Sequence, residues 1–267
     1  ASTASEADET TDEAGAATRH DAAAPETGAT NCTLRSKITD YEAPAPILTK
    51  PLEIMLPESN DLWPRSVLAV VDDSEAKTSS IMVLEQADPW SDYKLAYQGS
   101  LEASTLMPDL PAEYLGAPRI QPDSQFMLLP PGEVAAAYAD ILNKGEESEF
   151  YDLFDVETDQ FRTSVAADRQ GRLDDFNETA SKTGKLTFSS IPGTFYPYAI
   201  ATLESGAIVA VNLFEQDTVK PTNADAVIKL DKSPTVKALA GAESSATGFI
   251  TTYSDQLFFY VPGQGST

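Results

Sequence analysis

The stretch YPYAIATLESGAIVAVNLFE, Tyr196–Glu215, carries the strongest local structural signal in the chain. Two runs rich in β-branched, aromatic and small apolar residues flank the dipeptide Ser205-Gly206. Gly206 can take the positive φ that a two-residue hairpin loop demands, so the stretch predicts a β-hairpin that turns at this dipeptide.

That turn position also predicts which side chains of the hairpin share a face, because successive side chains of a strand point to opposite sides of a sheet. On one face we expect three facing pairs: Ile200 with Val211, Tyr198 with Leu213, Thr202 with Val209. On the other face we expect small side chains around one amide: Ala199, Ala201, Ala210, Asn212. A surface this shallow either lets a helix approach closely or forms the floor of a pocket.

The composition bounds the class of protein. A chain of 267 residues with 42% hydrophobic residues can bury a sizeable core in one or two domains. Its 42 acidic residues exceed its 18 basic residues and give a formal net charge of −24. Because a phosphate-binding surface needs clustered Lys and Arg, this charge argues against nucleic acid and anionic lipid as partners. No apolar run is long enough to predict a membrane-spanning helix.

The sequence offers few groups for catalysis or cofactor binding. The only histidine is His20 and the only cysteine is Cys32, so nucleophilic triads and imidazole-bound metal sites lack their central group. No glycine-rich nucleotide-binding pattern stands between a predicted strand and a helix. Adjacent acids occur at Asp72-Asp73, Glu146-Glu147 and Asp174-Asp175, and in so acidic a chain they indicate solvated surface. We therefore predict no metal, no cofactor and no catalytic residue.

Residues 1–45 are predicted to form a disordered acidic tail or linker. Ala1–Thr30 contains no Val, Ile, Leu, Met or aromatic residue, so burial cannot offset the entropy of ordering it. Such a segment is typical both of a tether between a membrane anchor and a folded body and of a simple disordered terminus. After it we expect three segments: an antiparallel β unit at 46–107, a Pro-rich connector at 108–125, and an α+β domain at 126–263.

Short apolar runs between turn residues predict an antiparallel meander in the first folded segment. Trp63 and Trp90 stand at junctions between strands and loops, where a Trp side chain most often covers the end of a sheet. The predicted strands are Leu52–Leu56, Ser66–Val71, Ser80–Gln86 and Tyr93–Gln98.

Two helices are predicted after the connector. Pro131–Lys144 has a proline in its first turn, Gly145 at its end and an apolar stripe at helical spacing. Asp159–Thr179 is predicted to be capped by Thr158 and weakened by Gly171. The stripe of the first helix comprises Val134, Tyr138, Ile141 and Leu142, and the inward residues of the second are Phe161, Val165, Leu173 and Phe176.

Beyond the helices the pattern predicts strands only. Together with the hairpin they form a long antiparallel sheet, and helices followed by such a sheet are typical of an α+β fold. We expect a tight turn at Ser254-Asp255 to join the last two strands. The strands predicted besides the hairpin are Lys185–Ile191, Ala226–Leu230, Thr235–Leu239, Thr247–Tyr253 and Gln256–Val261.

The predicted fold class is therefore α+β, with an antiparallel β-meander followed by a two-helix plus curved antiparallel-sheet unit. This order of elements is similar to the cone-shaped, nuclear-transport-factor-like fold, in which a curved sheet wraps around helices and small or polar residues line a cavity. The residues that the pattern offers for such a pocket are Tyr138, Tyr198 and Asn212. Alternatively, Asn212 faces solvent or satisfies a neighbouring backbone group.

Four motifs are spaced along the folded part of the chain. They are Trp63-Pro64-Arg65 before a strand, LLPPGEVAAAYADILNKG at Leu128–Gly145, ATLESGAIVAV at Ala201–Val211 and QLFFYVP at Gln256–Pro262. From Leu52 to Pro262 the chain thus resembles an actinobacterial family of secreted proteins and lipoproteins that contain an uncharacterised domain. The resemblance implies an exported, often membrane-tethered protein, and it supplies no catalytic residue. No recognisable lipidation site accompanies it, because Cys32 follows Thr30-Asn31 rather than an apolar run.

These observations predict a non-catalytic extracytoplasmic module, extracellular or at the cell surface, that binds an envelope protein or a cell-wall component. Its N-terminal tail is either a tether or a simple disordered terminus. The alternative is a small-molecule-binding or hydrolytic domain that uses carboxylates in a cone-shaped cavity. The alternative requires a concave pocket with a buried acid, whereas the module requires an exposed apolar patch and a filled interior.

Overall fold

The computed structural model of the chain describes residues 49–58, 62–73, 78–101, 107–230 and 234–265. The predicted tail at 1–45, with His20 and Cys32, lies outside these residues. The predicted fold class is confirmed, because an antiparallel meander is followed by helices and by a second antiparallel sheet.

The first sheet is a four-stranded meander whose strands lie in chain order. All three pairings are antiparallel, and Arg65 at the start of the second strand pairs with Gln86 at the end of the third. The pairing of the first strand with the second is irregular between Pro51 and Glu53. The strands are β1 (Thr49–Met55), β2 (Arg65–Asp73), β3 (Thr78–Gln86) and β4 (Lys94–Leu101).

Two long helices follow the meander. The first, α1, spans Val134–Lys144, and Gly145 after it has φ +60, as expected of a helix end. The second, α2, spans Gln160–Ala180. Its cap is Asp159, whose side chain accepts a hydrogen bond from the Arg162 amide at 2.9 Å, so the prediction of Thr158 as cap was wrong. Either residue type can cap, and Thr158 instead donates to Asp155.

The second sheet has the order β10-β7-β5, and β6 also pairs with β7. β8 and β9 pair with each other and form a separate two-stranded sheet. A short helix, α3, connects these two strands in the chain. The bounds are β5 Gly184–Pro192, β6 Tyr198–Ala201, β7 Ala207–Pro221, β8 Ile228–Lys229, α3 Pro234–Ala240, β9 Ser244–Ser245 and β10 Phe249–Val261.

Two predictions for this region were wrong. Thr235–Leu239 is not a strand but part of α3, because Pro234 suits a first helical turn, Gly241 ends the helix with φ +62, and these signals outweigh one β-branched pair. Ser254-Asp255 is not a turn. Both residues lie inside the continuous strand β10. Neither is a glycine, and the pairing of β10 in its sheet outweighs the local turn preference of two polar residues.

The hairpin of Tyr196–Glu215 forms, but its register differs from the prediction by three residues. Tyr198 pairs with Ala210 and Ile200 with Ile208. The connection is longer than two residues, because the Thr202 amide donates to the Gly206 carbonyl at 2.9 Å. The positive φ belongs to Ser205, at 62°, rather than to Gly206.

Gly206 is required for a different reason. A Cβ at this position would lie 2.6 Å from ring atoms of Tyr260, so the glycine allows the aromatic ring to lie against the backbone. The altered register also changes which residues share a face, because Tyr198 now lies on the face of Ala210. The predicted small-residue surface around Asn212 is therefore not formed as expected.

The described residues divide into two compact units. The meander unit comprises those within Ala45–Tyr138, Pro192–Leu213 and Gln256–Thr267, and the helix unit comprises those within Ala139–Ile191 and Phe214–Asp255. The predicted boundaries at 46–107, 108–125 and 126–263 stay predictions.

The core of the meander unit forms between the first sheet and the hairpin. One cluster joins buried residues of β1 to β4 with one face of β6 and β7. Burial of these apolar side chains is the main favourable term in folding, at about 25 cal/mol for each Å² removed from water. Its fully buried members include Leu68, Val83, Ile200 and Ala210.

Candidate functional site

The three residues predicted to line a pocket lie in the meander unit and are all buried. The ring of Tyr138 packs edge-on against Phe259, with centroids 5.0 Å apart. Tyr198 belongs to the apolar core cluster. These contacts support packing roles for both tyrosines, and the pocket itself stays a prediction.

A guanidinium lies beside the ring of Tyr198. The guanidinium of Arg119 lies 4.0 Å from the centroid of its ring, and Arg119 also donates to Ser66 Oγ at 2.7 Å. Burial raises the pKa of the Tyr198 phenol above its usual range, and the positive charge of Arg119 opposes this rise only in part. The phenol is therefore neutral at physiological pH and cannot act as a base.

Asn212 is 2% exposed, so it does not face solvent. Its backbone carbonyl accepts a hydrogen bond from the Gly193 amide at 2.8 Å. A Cβ at Gly193 would collide with the Asn212 side-chain amide, so the glycine and the asparagine fit together without space for another group. This burial disagrees with the expectation that Asn212 faces solvent, whereas its role in a pocket or as partner of a neighbouring backbone group stays a prediction.

A cluster of buried charges in the helix unit was not anticipated from the sequence. Glu215 on β7 is 1% exposed and forms an ion pair with Arg169 of α2, with 2.7 Å between Nη2 and Oε1. Ser190 on β5 donates to the same carboxylate oxygen at 2.7 Å. Arg169 also donates to the Leu142 carbonyl at 2.9 Å. The guanidinium thus connects a helix end, a helix and two strands.

A second ion pair lies beside the first in sequence. Arg172, one turn along α2, contacts Asp217 with 2.8 Å between Nε and Oδ2. Its guanidinium also lies 5.5 Å from the ring of Phe188 and 5.3 Å from the ring of Tyr253. The cation is therefore held between a carboxylate and two aromatic rings of neighbouring strands.

Glu215 and Asp217 are two buried acids of the kind that a hydrolytic site would need, and Asp255 is a third. General acid or base catalysis requires a carboxyl group within reach of the substrate, with a pKa near the working pH. Glu215 and Asp217 are each engaged by an arginine of α2, at 2.7 Å and 2.8 Å. Both ion pairs join α2 to β7 and so hold these elements of the helix unit together.

The sequence contained a signal for this cluster. Glu215 and Asp217 are two residues apart on an apolar strand, so their side chains point to one face. Arg169 and Arg172 are three residues apart on a helix, so they also share a face. Matched pairs of opposite charge at strand and helix spacing predict such a contact, whereas adjacent acids such as Asp174-Asp175 do not.

The other prominent feature is a group of large side chains, most of them exposed, at one end of the meander. Both tryptophans of the chain are here, since Trp63 precedes β2 and Trp90 lies between β3 and β4. Because Arg65 pairs with Gln86, these two segments leave the same end of the sheet. We name this group the tryptophan end, and it comprises Leu62, Trp63, Trp90 and Tyr93.

Trp90 is 94% exposed, so the prediction that it covers the end of the sheet was wrong. The turn that carries it is nevertheless well connected. Asp88 accepts hydrogen bonds from the Trp90 amide at 2.9 Å and from Ser91 Oγ at 2.6 Å. Gln86 donates to the Ser91 carbonyl at 2.7 Å. The indole is therefore displayed on a prearranged loop.

The charge of Asp88 is part of this arrangement. Hydrogen bonds from Ser91 and from the Trp90 amide hold the pKa of its carboxyl below the usual range. Asp92 is exposed beside it. At the other side of the tryptophan end, the Arg65 guanidinium lies 4.7 Å from the ring of Trp63, which is half-buried. The loop of the tryptophan end thus carries both the exposed ring of Trp90 and the negatively charged carboxylate of Asp88.

Among the residues that the structure describes, no group of three or more His, Cys, Asp or Glu is placed to hold a metal ion. No helix in the described ranges has the length and apolarity needed to cross a bilayer.

Comparison with models of protein families identifies a family for the chain. A family model with the description "Domain of unknown function (DUF8094)" matches residues 1–267. No curated protein matches the chain, and no solved structure matches it.

Proposed function

The chain belongs to this family of domains of unknown function, and on that premise we propose that it is a non-catalytic, extracytoplasmic module that binds a partner protein of the cell envelope through its tryptophan end. The observation that carries the proposal is the 94% exposure of Trp90 on a loop held by hydrogen bonds. Tryptophan, tyrosine and arginine dominate the energetics of protein interfaces, and this end of the sheet presents all three.

Prearrangement of the loop favours binding. A loop whose backbone is already held in place loses little conformational entropy when a partner covers it. The contacts of Asp88 with Trp90 and Ser91 supply this order in the free protein. Trp90 therefore suits the role of an anchor residue, and Tyr93 and Trp63 extend the apolar area around it.

The buried charges support a binding role over hydrolysis. Glu215 and Asp217, the best candidates for carboxylate chemistry, are each paired with an arginine of α2. The Trp90 side chain, by contrast, is 94% exposed and so is available to a partner. This pattern favours recognition rather than proton transfer.

Export is supported by two features of the sequence. The first is the acidic, aliphatic-poor stretch Ala1–Thr30, which suits a spacer between a cell surface and a folded body. The second is the resemblance to secreted proteins and lipoproteins. Fractionation of the native host tests this part of the proposal, with recovery in the envelope or medium expected and recovery in the cytosol alone contradicting it.

Affinity capture from envelope extract tests the binding role. The full chain serves as bait, and Trp90→Ala is compared with Tyr114→Ala, which removes an aromatic side chain that is 87% exposed elsewhere in the same unit. We expect one protein to be retained by the wild type and by the Tyr114 variant. Its affinity should fall by roughly thirtyfold in the Trp90 variant, the effect of losing an anchor worth about 2 kcal/mol. Equal retention by both variants would exclude the tryptophan end as the interface.

A further inference from the structure

We propose that the tryptophan end recognises an extended, proline-rich segment of its partner that carries arginine or lysine beside the prolines. This inference rests on the proposed function and names the chemistry of the segment that is bound. Three observations carry it: the obstructed edge of β1, the open aromatic faces at the end of the sheet, and the fixed negative charge beside them.

The edge of the meander is poorly suited to adding a strand from a partner. β1 ends the strand order of the first sheet, but Pro51 within it lacks an amide donor. The irregular pairing between Pro51 and Glu53 further distorts this edge. Proline, irregular pairing and exposed charge, here Lys50, are features that protect edge strands from pairing. Pairing of an extended partner with β1 is therefore disfavoured, and the exposed aromatic side chains at the end of the sheet offer side-chain contacts instead.

Aromatic side chains at the tryptophan end provide the surface for such a partner. A polyproline II helix has no internal hydrogen bonds and little entropy to lose, and it binds by packing proline rings on aromatic side chains. Trp90 offers its exposed indole, and Tyr93 is partly exposed beside it. Trp63 is held by Arg65 on one face and lies at the same end of the sheet.

The negative charges of Asp88 and Asp92 determine which residues next to the prolines are favoured. Asp88 keeps its negative charge because its neighbours donate hydrogen bonds to the carboxylate. Asp92 adds a second exposed acid, and the whole chain carries a formal net charge of −24. Glu85 pairs across the sheet with Lys94, so Asp88 and Asp92 are the acids of this loop that face no partner strand. A basic residue next to the prolines complements these two carboxylates.

Fluorescence anisotropy of labelled synthetic peptides tests the proposal. The probe is a proline-rich peptide that ends in two arginines, and its controls replace either all prolines by alanine or both arginines by glutamate. We expect saturable binding of the probe to the wild-type full chain and to Tyr114→Ala. Binding should weaken by about tenfold or more in Trp90→Ala. Binding of the probe to Asp92→Asn should be weaker than binding to the wild type at low salt. At high salt this difference should be smaller, because exposed charges are screened.

Circular dichroism of each variant shows whether it is folded, which the exposure of Trp90 and Asp92 leads us to expect. Equal binding of the proline and alanine peptides, or no binding of either, would overturn this inference. If the captured envelope protein still depends on Trp90 in that case, the proposed function stands and only the segment chemistry is refuted. Trp90-dependent sedimentation with purified cell-wall polysaccharide, without peptide binding, would overturn both proposals.

Discussion

At the scale of single residues, Gly193 is the position where the structure leaves least room. A Cβ here would collide with the Asn212 side chain and lie 2.9 Å from the Asn212 carbonyl carbon, which is backbone and cannot move aside. We expect Gly193→Ala to lower the free energy of unfolding by about 1–3 kcal/mol, the usual effect of overpacking. The measurement is the urea midpoint of unfolding.

Gly171 provides the matched control for this substitution. It lies in the interior of α2 with no atom within 4 Å of an added Cβ. Gly171→Ala should therefore raise the free energy of unfolding by about 0.5–1 kcal/mol, because alanine suits a helix better than glycine. If Gly193→Ala left the urea midpoint unchanged or raised it as Gly171→Ala should, the packing described around Asn212 would be incorrect.

Asp88 is the residue whose protonation affects the tryptophan end. Its pKa in the folded protein is lowered, so its contribution to stability is present above the unfolded pKa of about 3.9 and disappears as the pH falls through the folded value. We expect the order of the loop to be constant at neutral and mildly acidic pH and to be lost only in stronger acid. NMR titration of the Asp88 carboxyl carbon measures this. An Asp88 midpoint at or above the unfolded value of about 3.9 would contradict the hydrogen bonds described.

At the scale of elements, the ion pair between Arg169 and Glu215 joins α2 to β7. Removing one partner leaves the other charge buried, so Glu215→Ala should lower the free energy of unfolding by about 3–5 kcal/mol. Replacing both by leucine should cost far less, since no charge is then stranded. Chemical denaturation measures both, and exposed Glu178→Gln serves as a control expected within about 0.5 kcal/mol of wild type.

A loss of stability in the double leucine variant as large as that in Glu215→Ala, or larger, would show that the two buried charges are not coupled. A loss in Glu215→Ala that is largely recovered in the double variant is the expected pattern, because the two groups share one desolvated environment.

Local sequence patterns predicted most elements of the fold. Alternating apolar residues and turn residues located β2 and β3, and the apolar stripe with Gly145 located α1. The hairpin register could not be predicted, because it depends on a connection that Thr202 closes through its own amide. Gly206 misled the interpretation, since its requirement comes from the Tyr260 ring, which is remote in sequence. Such tertiary contacts leave no local pattern.

At the scale of the whole molecule, the candidate site was harder to predict than the fold. Exposure of Trp90 depends on how the loop leaves the sheet, and the composition of a junction does not reveal whether its tryptophan points inward. The spacing of Glu215 and Asp217 indicates that the two acids share one face of a strand. Only the packing of α2 on the strands shows that Arg169 and Arg172 are their partners. Adjacent acids are poor candidates for a shared site on a strand, because neighbouring residues of a strand point to opposite faces.

The central claim for the whole molecule is that the tryptophan end is an open recognition surface. Acrylamide quenching of tryptophan fluorescence tests it most directly in the full chain with Trp63→Phe, whose remaining indole is Trp90. In the isolated protein we expect quenching close to that of free indole, because this side chain is 94% exposed. In complex with the protein captured from envelope extract, quenching should fall several-fold as the partner covers the ring. Quenching that is already weak in the isolated protein, or unchanged in the complex, would contradict the claim.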